Sequence, residues 1–138
     1  MSNLIAGTVT ATTAVKAGSL QDAAGANPST PQEIQQGRVK AWFNLNGTGT
    51  IAARDSFGIS SFVDNGVGSY AAVYATARPN ANGAIALAVG NTPSGNGIIE
   101  IYTSSAVPSV NGFAMVSLTP SAGAAQDTDN IHSEMTGD

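Results

Sequence analysis

The sequence contains no cysteine, which excludes disulfide bonds and thiolate metal ligands. Charged residues make up only 10% of the 138 residues, and the formal net charge is −4. The five basic residues are scattered along the chain, so the sequence lacks the basic patch on which nucleic-acid binding depends. No window approaches the run of apolar residues that a membrane-spanning helix needs, and we expect no membrane insertion.

Large apolar side chains are also scarce, because alanine supplies much of the hydrophobic content. Leu, Ile, Val and Phe together number 28 of 138 residues, close to the composition at which a chain struggles to bury enough apolar surface. Disorder at this composition normally accompanies high charge, and the charge here is low. We therefore expect a folded domain with a small core that neighbouring copies of the chain complete in a homo-oligomer.

Turn signals are abundant. Asn-Gly, the strongest short-range hairpin signal, occurs five times, at 46–47, 65–66, 82–83, 96–97 and 111–112. The segments between these pairs have room for one or two short strands each. The pattern predicts an all-β fold: an antiparallel β-sandwich or barrel-like domain with an extended N-terminal arm and one short helix.

About six or seven strands are indicated by apolar residues that alternate with period two. In RVKAWFNLN, Phe43 and Leu45 lie on one face and Trp42 on the other. AIALAVG places its larger residues opposite alanines: Ile85, Leu87 and Val89. TIAARDSFGIS is expected to form one strand with four apolar residues on a single face: Ile51, Ala53, Phe57 and Ile59.

The chain is predicted to have three parts. Residues 1–36 form an N-terminal arm with a short helix near 31–36, which Thr30 and Glu33 can cap. Residues 37–120 form the β domain. Residues 121–138 are polar and acidic, and we expect them to form a loose tail.

Few residues suggest catalysis or metal binding. The only histidine, His132, falls in the predicted tail and is expected to be solvated. Asp127 and Asp129 faintly resemble the start of a calcium loop but lack its glycine and its final glutamate, so an acidic tail is the expected state. Asp55 and Glu100 are simpler to interpret as outward strand residues than as a glycosidase pair. We therefore predict no catalytic, cofactor-binding or metal-binding residue and no cofactor.

Trp42 allows two interpretations. An exposed ring on the face opposite Phe43 would suit sugar or receptor binding, whereas a covered ring would be scaffold. We favour the scaffold, because recognition residues tend to lie on loops. The loops in which we expect partner contacts are DNGVG, RPNANG and NTPSGNG, at 64–68, 78–83 and 91–97.

One long run resembles a module found in tail-fibre and other virion surface proteins of tailed bacteriophages. The resemblance covers about residues 19–90, roughly half of the chain, and rests on the pattern GRxKAWxNxNGTGT…DNGxGxY. The residues that match this pattern are Gly37, Arg38, Lys40, Ala41, Trp42, Asn44, Asn46, Gly47, Thr48, Gly49, Thr50, Arg54, Ser56, Phe57, Ser60, Asp64, Asn65, Gly66, Gly68 and Tyr70.

The resemblance implies a non-enzymatic virion protein on the particle surface, of the short tail-fibre, head-fibre or capsid-decoration type. It implies a homotrimer whose partners are other virion proteins of the capsid or tail and, where the particle attaches, a host surface glycan. An alternative is a stand-alone carbohydrate-binding module. An enzyme that cleaves glycans would instead need a pair of carboxylates in a cleft.

Overall fold

The structure is a computed structural model, and it describes residues 18–21, 24–92, 95–103 and 108–137. The backbone divides into two units, Met1–Ile34 and Gln35–Asp138. Residues 1–17, 22 and 23 of the predicted extended arm lie outside the described residues. In its described part, Leu20 and Ser29 exchange two backbone hydrogen bonds of 2.7 Å, so this stretch is not fully extended.

The predicted short helix is confirmed as α1 (Pro31–Gly37). The Thr30 hydroxyl accepts a hydrogen bond from the Glu33 amide at 3.2 Å, and the Thr30 amide donates to Glu33 Oε2 at 2.7 Å. These two reciprocal bonds form a capping box, which satisfies amides that the first turn would otherwise leave unpaired. The Thr30 amide and the Thr30 hydroxyl both donate to Glu33 Oε2, and these two bonds lower the pKa of the Glu33 carboxyl because they stabilise its charged form.

The described part of the chain contains ten strands, all paired antiparallel. They are β1 (Ala41–Asn46), β2 (Ala52–Phe57), β3 (Ile59–Asp64), β4 (Ser69–Tyr74), β5 (Ala84–Val89), β6 (Asn91–Thr92), β7 (Gly95–Asn96), β8 (Ile98–Ile101), β9 (Gly112–Leu118) and β10 (Ile131–Thr136). The first sheet has the order β2-β1-β10-β5 and the second has the order β3-β4-β9-β8. Strands β6 and β7 pair with each other in a separate two-stranded ladder, in the part of the chain that connects β5 to β8. The predicted all-β sandwich is confirmed.

The core lies between the two four-stranded sheets. It is built from alternate residues of the central strands, as the period-two pattern predicts. The Phe43 ring meets the Phe62 ring edge-on, with centroids 5.0 Å apart, and stacks near Phe113 at 6.3 Å. The buried cluster contains Ala41, Phe43, Leu45, Tyr70, Ala72, Tyr74, Phe113, Met115, Ile131 and Met135. The larger residues of β5 pack against its edge, as predicted.

The predicted loose tail is wrong for its last part. Strand β10 lies in the middle of the first sheet, between β1 and β5, and its Ile131 is completely buried. The segment IHSEMT alternates inward residues with the exposed His132 and Glu134. The low average hydrophobicity of this segment made the alternation difficult to recognise from the sequence. The β domain therefore does not end near residue 120, because residues 131–136 are part of its first sheet.

TIAARDSFGIS is not a single strand. It divides at Gly58 into β2 and β3, which belong to different sheets. Gly58 has φ of +70°, and a Cβ there would lie 2.5 Å from the Lys40 carbonyl oxygen. The chain thus turns from one sheet to the other at a residue that must be glycine. Phe57 consequently does not share an inner face with Ile59, and its side chain is 56% exposed.

The Asn-Gly pairs do not form the turn type that their sequence indicates. A type I′ turn needs positive φ at both residues, but Asn27 is the one non-glycine residue with positive φ in the described part of the chain. The predicted hairpin at Asn65–Gly66 is nevertheless present, because β3 pairs with β4 around it. It closes through a bond from the Asn65 amide to the Ser69 carbonyl oxygen at 2.9 Å.

Candidate functional site

A buried tyrosine organises one end of the sandwich. The Tyr70 side chain is completely buried, and its hydroxyl lies 2.8 Å from the Gly47 carbonyl oxygen and 3.0 Å from Asp127 Oδ1. The same Asp127 oxygen accepts a hydrogen bond from the Gly68 amide at 2.7 Å. We call Gly47, Gly68, Tyr70 and Asp127 the Tyr70 cluster. It ties the loops after β1, β3 and β9 together.

The backbone approaches the tyrosine so closely that position 47 has no room for a side chain. A Cβ on Gly47 would lie 2.6 Å from both Cζ and the hydroxyl oxygen of Tyr70, and 2.8 Å from the Thr128 carbonyl oxygen. The Gly47 amide donates to that Thr128 oxygen at 2.9 Å. Only glycine allows the loop, the ring and the neighbouring backbone to meet in this way.

The electrostatics of the cluster keep Tyr70 neutral. Burial raises the pKa of the Tyr70 hydroxyl, and the hydrogen bond and negative charge of Asp127 raise it further. The tyrosine therefore remains a hydrogen-bond donor at ordinary pH. The expected solvated state of Asp127 is wrong, because the residue is half-buried and bound to the Gly68 amide and the Tyr70 hydroxyl. No spacing in DTDN indicates this role.

The phage-module pattern runs through this cluster. Gly47 comes from its NGTG segment, while Gly68 and Tyr70 come from its DNGxGxY segment. These segments are distant in the sequence but meet around one buried hydroxyl. Three residues of the pattern, Gly47, Gly68 and Tyr70, therefore help to hold the sandwich together.

A second feature is the outer face of the first sheet, which we define by Trp42, Asn44, Asp55, Phe57, His132 and Glu134. Trp42 stands opposite Phe57 on β2 and opposite Glu134 on β10. Asn44 stands opposite Asp55 and His132 in the neighbouring row. Trp42 is half-buried. It points to the outer face of β1, whereas the core residues Phe43 and Leu45 point to the inner face, as the alternation predicts. The face thus carries an aromatic pair beside polar side chains.

The suspected catalytic residues do not converge. Asp55 lies on the β2 edge of the first sheet, whereas Glu100 lies on the β8 edge of the second. Strand β2 is next to β3 across the sandwich and β8 is next to β5, so the two carboxylates occupy opposite sides of the fold. His132 is exposed on the central strand β10. Within the described residues, no group of three or more acidic or histidine side chains could hold a metal ion.

An open cavity of about 300 Å³ lies at the end of the sandwich away from the Tyr70 cluster. Its walls include Lys40, Phe57, Tyr74 and Arg78. The Arg78 guanidinium carbon is 5.7 Å from the centre of the Tyr74 ring, and Arg78 Nη2 donates to the Thr136 carbonyl oxygen at 3.3 Å. Burial raises the pKa of Tyr74, and Arg78 offsets part of this rise. The cavity combines aromatic walls with two cationic side chains.

The loops expected to contact partners are distributed over the molecule. RPNANG contributes Arg78 to the cavity. DNGVG presents Val67, whose side chain is 63% exposed. Part of NTPSGNG lies outside the described residues. The structure does not bring these loops together around the cavity, because DNGVG adjoins the Tyr70 cluster at the opposite end.

Comparison with protein-family models, with curated proteins and with solved structures gives no match. In the part of the chain that the structure describes, no helix has the length and apolar character needed to cross a membrane.

Proposed function

We propose that this chain is a non-enzymatic structural protein on the surface of a bacteriophage particle, of the short tail-fibre, head-fibre or capsid-decoration type. The observation that carries the proposal is the meeting of the two pattern segments at the Tyr70 cluster. The segments NGTG and DNGxGxY, on which the resemblance rests, supply Gly47, Gly68 and Tyr70 to this cluster. Because these two segments meet in the fold, we propose that this chain shares its fold with the phage module.

The chemistry of the described surfaces suits a structural role. The two completely buried polar side chains, Ser117 on β9 and Thr128 in the loop before β10, bond to each other through their hydroxyls at 2.7 Å. Such satisfied networks rigidify a small core. We propose other virion proteins and further copies of the chain as its partners. The resemblance favours a trimer.

Immunogold labelling of purified particles tests this proposal. An antibody against the chain should decorate the particle at a fixed position, and its location on tail or head would identify the type of surface protein. Particles from a mutant phage that lacks the chain provide the control. Complete absence of the chain from purified particles, measured by mass spectrometry, would overturn the proposal.

A carbohydrate-binding role is the second candidate, and one observation favours it. Phe57 is 56% exposed and stands directly opposite the half-buried Trp42 on the outer face. Aromatic ring faces stack well on the apolar faces of sugars, and Asn44 and Asp55 in the next row provide hydrogen-bonding groups.

Glycan-array binding with Phe57→Ala and Trp42→Ala separates the two candidates. A binding module should lose glycan binding in both variants while the fold remains intact by thermal melting. Val63→Ala is the matched control, because Val63 is 44% exposed on the other sheet. A wild-type protein that binds no glycan would exclude this second candidate and leave the structural role unaffected.

A further inference from the structure

Among the described residues, four strands have a hydrogen-bonded neighbour on one side only and so form sheet edges: β2, β5, β3 and β8. An exposed edge offers unpaired amide and carbonyl groups to any other strand, and most proteins protect their edges with charges, bulges or short strands. The four edges of this protein differ sharply in this respect.

Three of the edges carry such protection. Strand β2 contains Arg54 and Asp55, and its register with β1 shifts at Asn44/Leu45. Strand β3 ends in Asp64, and its register with β4 shifts near Ile59. Strand β8 has only four residues and includes Glu100.

Strand β5 carries none of these features. Its six residues, AIALAV, contain no charge, no proline and no irregularity in their register with β10. The alanines are exposed, and the larger residues face the core and are half-buried. Within the described residues, β5 pairs with β10 alone.

The register shows which backbone groups face the open edge. The Gly90 amide donates to the carbonyl oxygen of Asn130, its direct partner on the other side of the ladder. Hydrogen-bonded pairs alternate along an antiparallel ladder, so alternate residues from Gly90 direct their backbone groups toward β10. The intervening residues direct theirs to the open edge: Ile85, Leu87 and Val89.

We propose that the β5 edge pairs antiparallel with the β5 edge of a second copy of this chain, centred on Leu87. In this register Leu87 faces its own equivalent, Ile85 faces Val89, and Ala86 faces Ala88. Every outward backbone group then meets another outward group, so the hydrogen-bonding pattern continues across the two-fold axis.

The strand is suited to its own copy in two further respects. Because it has no charge, pairing two identical strands brings no like charges opposite each other. Because large residues meet large residues on the inner face and alanines meet alanines on the outer face, the joined sheets continue both layers. The two-fold pairing extends the first sheet of each copy into one eight-stranded sheet.

This inference is independent of the proposed function. A two-fold contact gives a dimer, or a hexamer when it combines with a three-fold contact, so it differs from the simple trimer that the resemblance favours. A molecule measured as a simple trimer would overturn the β5 pairing but leave the virion role standing.

Charge swaps on the exposed alanines test both the contact and its register. The double variant Ala86→Lys, Ala88→Lys places lysines directly opposite each other, and Ala86→Glu, Ala88→Glu does the same with glutamates. Each variant alone should sediment with half the mass of the wild-type assembly, because only the two-fold contact is lost. Mixed together, they should regain the mass of the wild-type assembly, because every lysine then faces a glutamate.

The matched control is Ala52→Lys, Ala53→Lys, which adds the same charges to exposed alanines on the opposite edge of the same sheet. It should keep the wild-type mass. Three results would overturn the proposal: a wild-type monomer at about 100 µM, equal dissociation in the control, or failure of the lysine and glutamate chains to associate. Thermal melting of each variant verifies that it is folded.

Discussion

At the scale of single residues, the decisive contacts are hydrogen bonds between residues that are distant in the sequence. Tyr70 contributes an aromatic ring to the core and a hydroxyl to the Gly47 carbonyl oxygen, so one side chain joins the apolar interior to the loop network. Asp127 extends this network to the Gly68 amide. A buried polar group that loses its partner is costly, which makes these positions sensitive to small changes.

Gly47→Ala should destabilise the fold by about 1–3 kcal/mol, because the added methyl overlaps the Tyr70 ring and nearby backbone. Urea denaturation measures the change. Gly49→Ala is the control, since a Cβ there meets nothing within 4 Å and only its φ of +62° is unfavourable. Equal losses in the two variants would show that the close approach at Gly47 is unimportant.

The raised pKa of Tyr70 predicts that the free energy of unfolding depends on pH in the alkaline range. The folded state raises the pKa of Tyr70 above its ordinary value of 10.0, whereas the unfolded chain ionises near that value. The unfolded state therefore loses protons first, and the free energy of unfolding should fall as the pH rises above about 10. Tyr70→Phe should make this fall shallower and cost about 1 kcal/mol at neutral pH.

Denaturation curves collected between neutral and alkaline pH check this expectation. Tyr74 provides an internal comparison, because burial also raises its pKa and its contribution remains in the Tyr70→Phe variant. An identical pH dependence in wild type and variant would contradict the assignment to Tyr70.

At the scale of secondary structure, two segments decide the architecture. The β3–β4 hairpin turns through residues 65–68, where Gly66 has φ of +114°. Strand β10 supplies the centre of the first sheet and joins β1 to β5. Each segment makes contacts that no neighbouring segment can replace.

Gly66→Val should cost about 1 kcal/mol or more, because a β-branched residue is strained at positive φ even though the space around Gly66 is open. The thermal midpoint provides the measurement. Ser61→Val, at an exposed site on β3, adds the same side chain to an ordinary strand backbone and should be nearly neutral. A neutral Gly66→Val would argue against the turn.

Truncation after Asn130 should abolish cooperative unfolding, because it removes Ile131 and Met135 from the core and separates β1 from β5. Circular dichroism during heating checks this outcome. Truncation after Thr136 keeps the whole strand and serves as the control. A well-folded protein lacking β10 would restore the loose-tail interpretation.

At the scale of the whole molecule, a small core coexists with one unprotected edge. The larger residues of β5 are only half-buried in the single chain, at the side where Ile98 is 45% exposed. The shortage of large apolar residues in the sequence thus corresponds to an incompletely covered core at this side of the sandwich. A second copy that packs at this side would cover apolar surface that a single chain leaves exposed.

If two β5 edges pair, the thermal midpoint should rise with protein concentration, since association stabilises the folded state by mass action. A hundredfold increase should raise it by about 5 °C. Differential scanning calorimetry over that range makes the measurement. The lysine double variant at positions 86 and 88 should show a smaller dependence, and a constant midpoint in the wild type would contradict stabilisation by association.

Much of the architecture follows from the sequence alone. Period-two alternation identified the inner faces of β1 and β5, and Thr30 with Glu33 located α1. These features depend on neighbours in the chain, so local patterns specify them. The same local patterns did not predict that TIAARDSFGIS divides between two sheets or that IHSEMT is a central strand. The place of a strand in a sheet depends on the strands with which it pairs.

Only the tertiary structure brought together Gly47, Tyr70 and Asp127. Tyr70 and Asp127 are 57 positions apart, and their hydrogen bond exists because the loop before β10 returns to the start of β4. The unprotected edge of β5 is likewise a property of strand order, since the segment would be central if another strand flanked it. Local sequence determines which residues can form strands and turns, whereas long-range pairing decides which strand is central, which edge stays open and which polar groups meet.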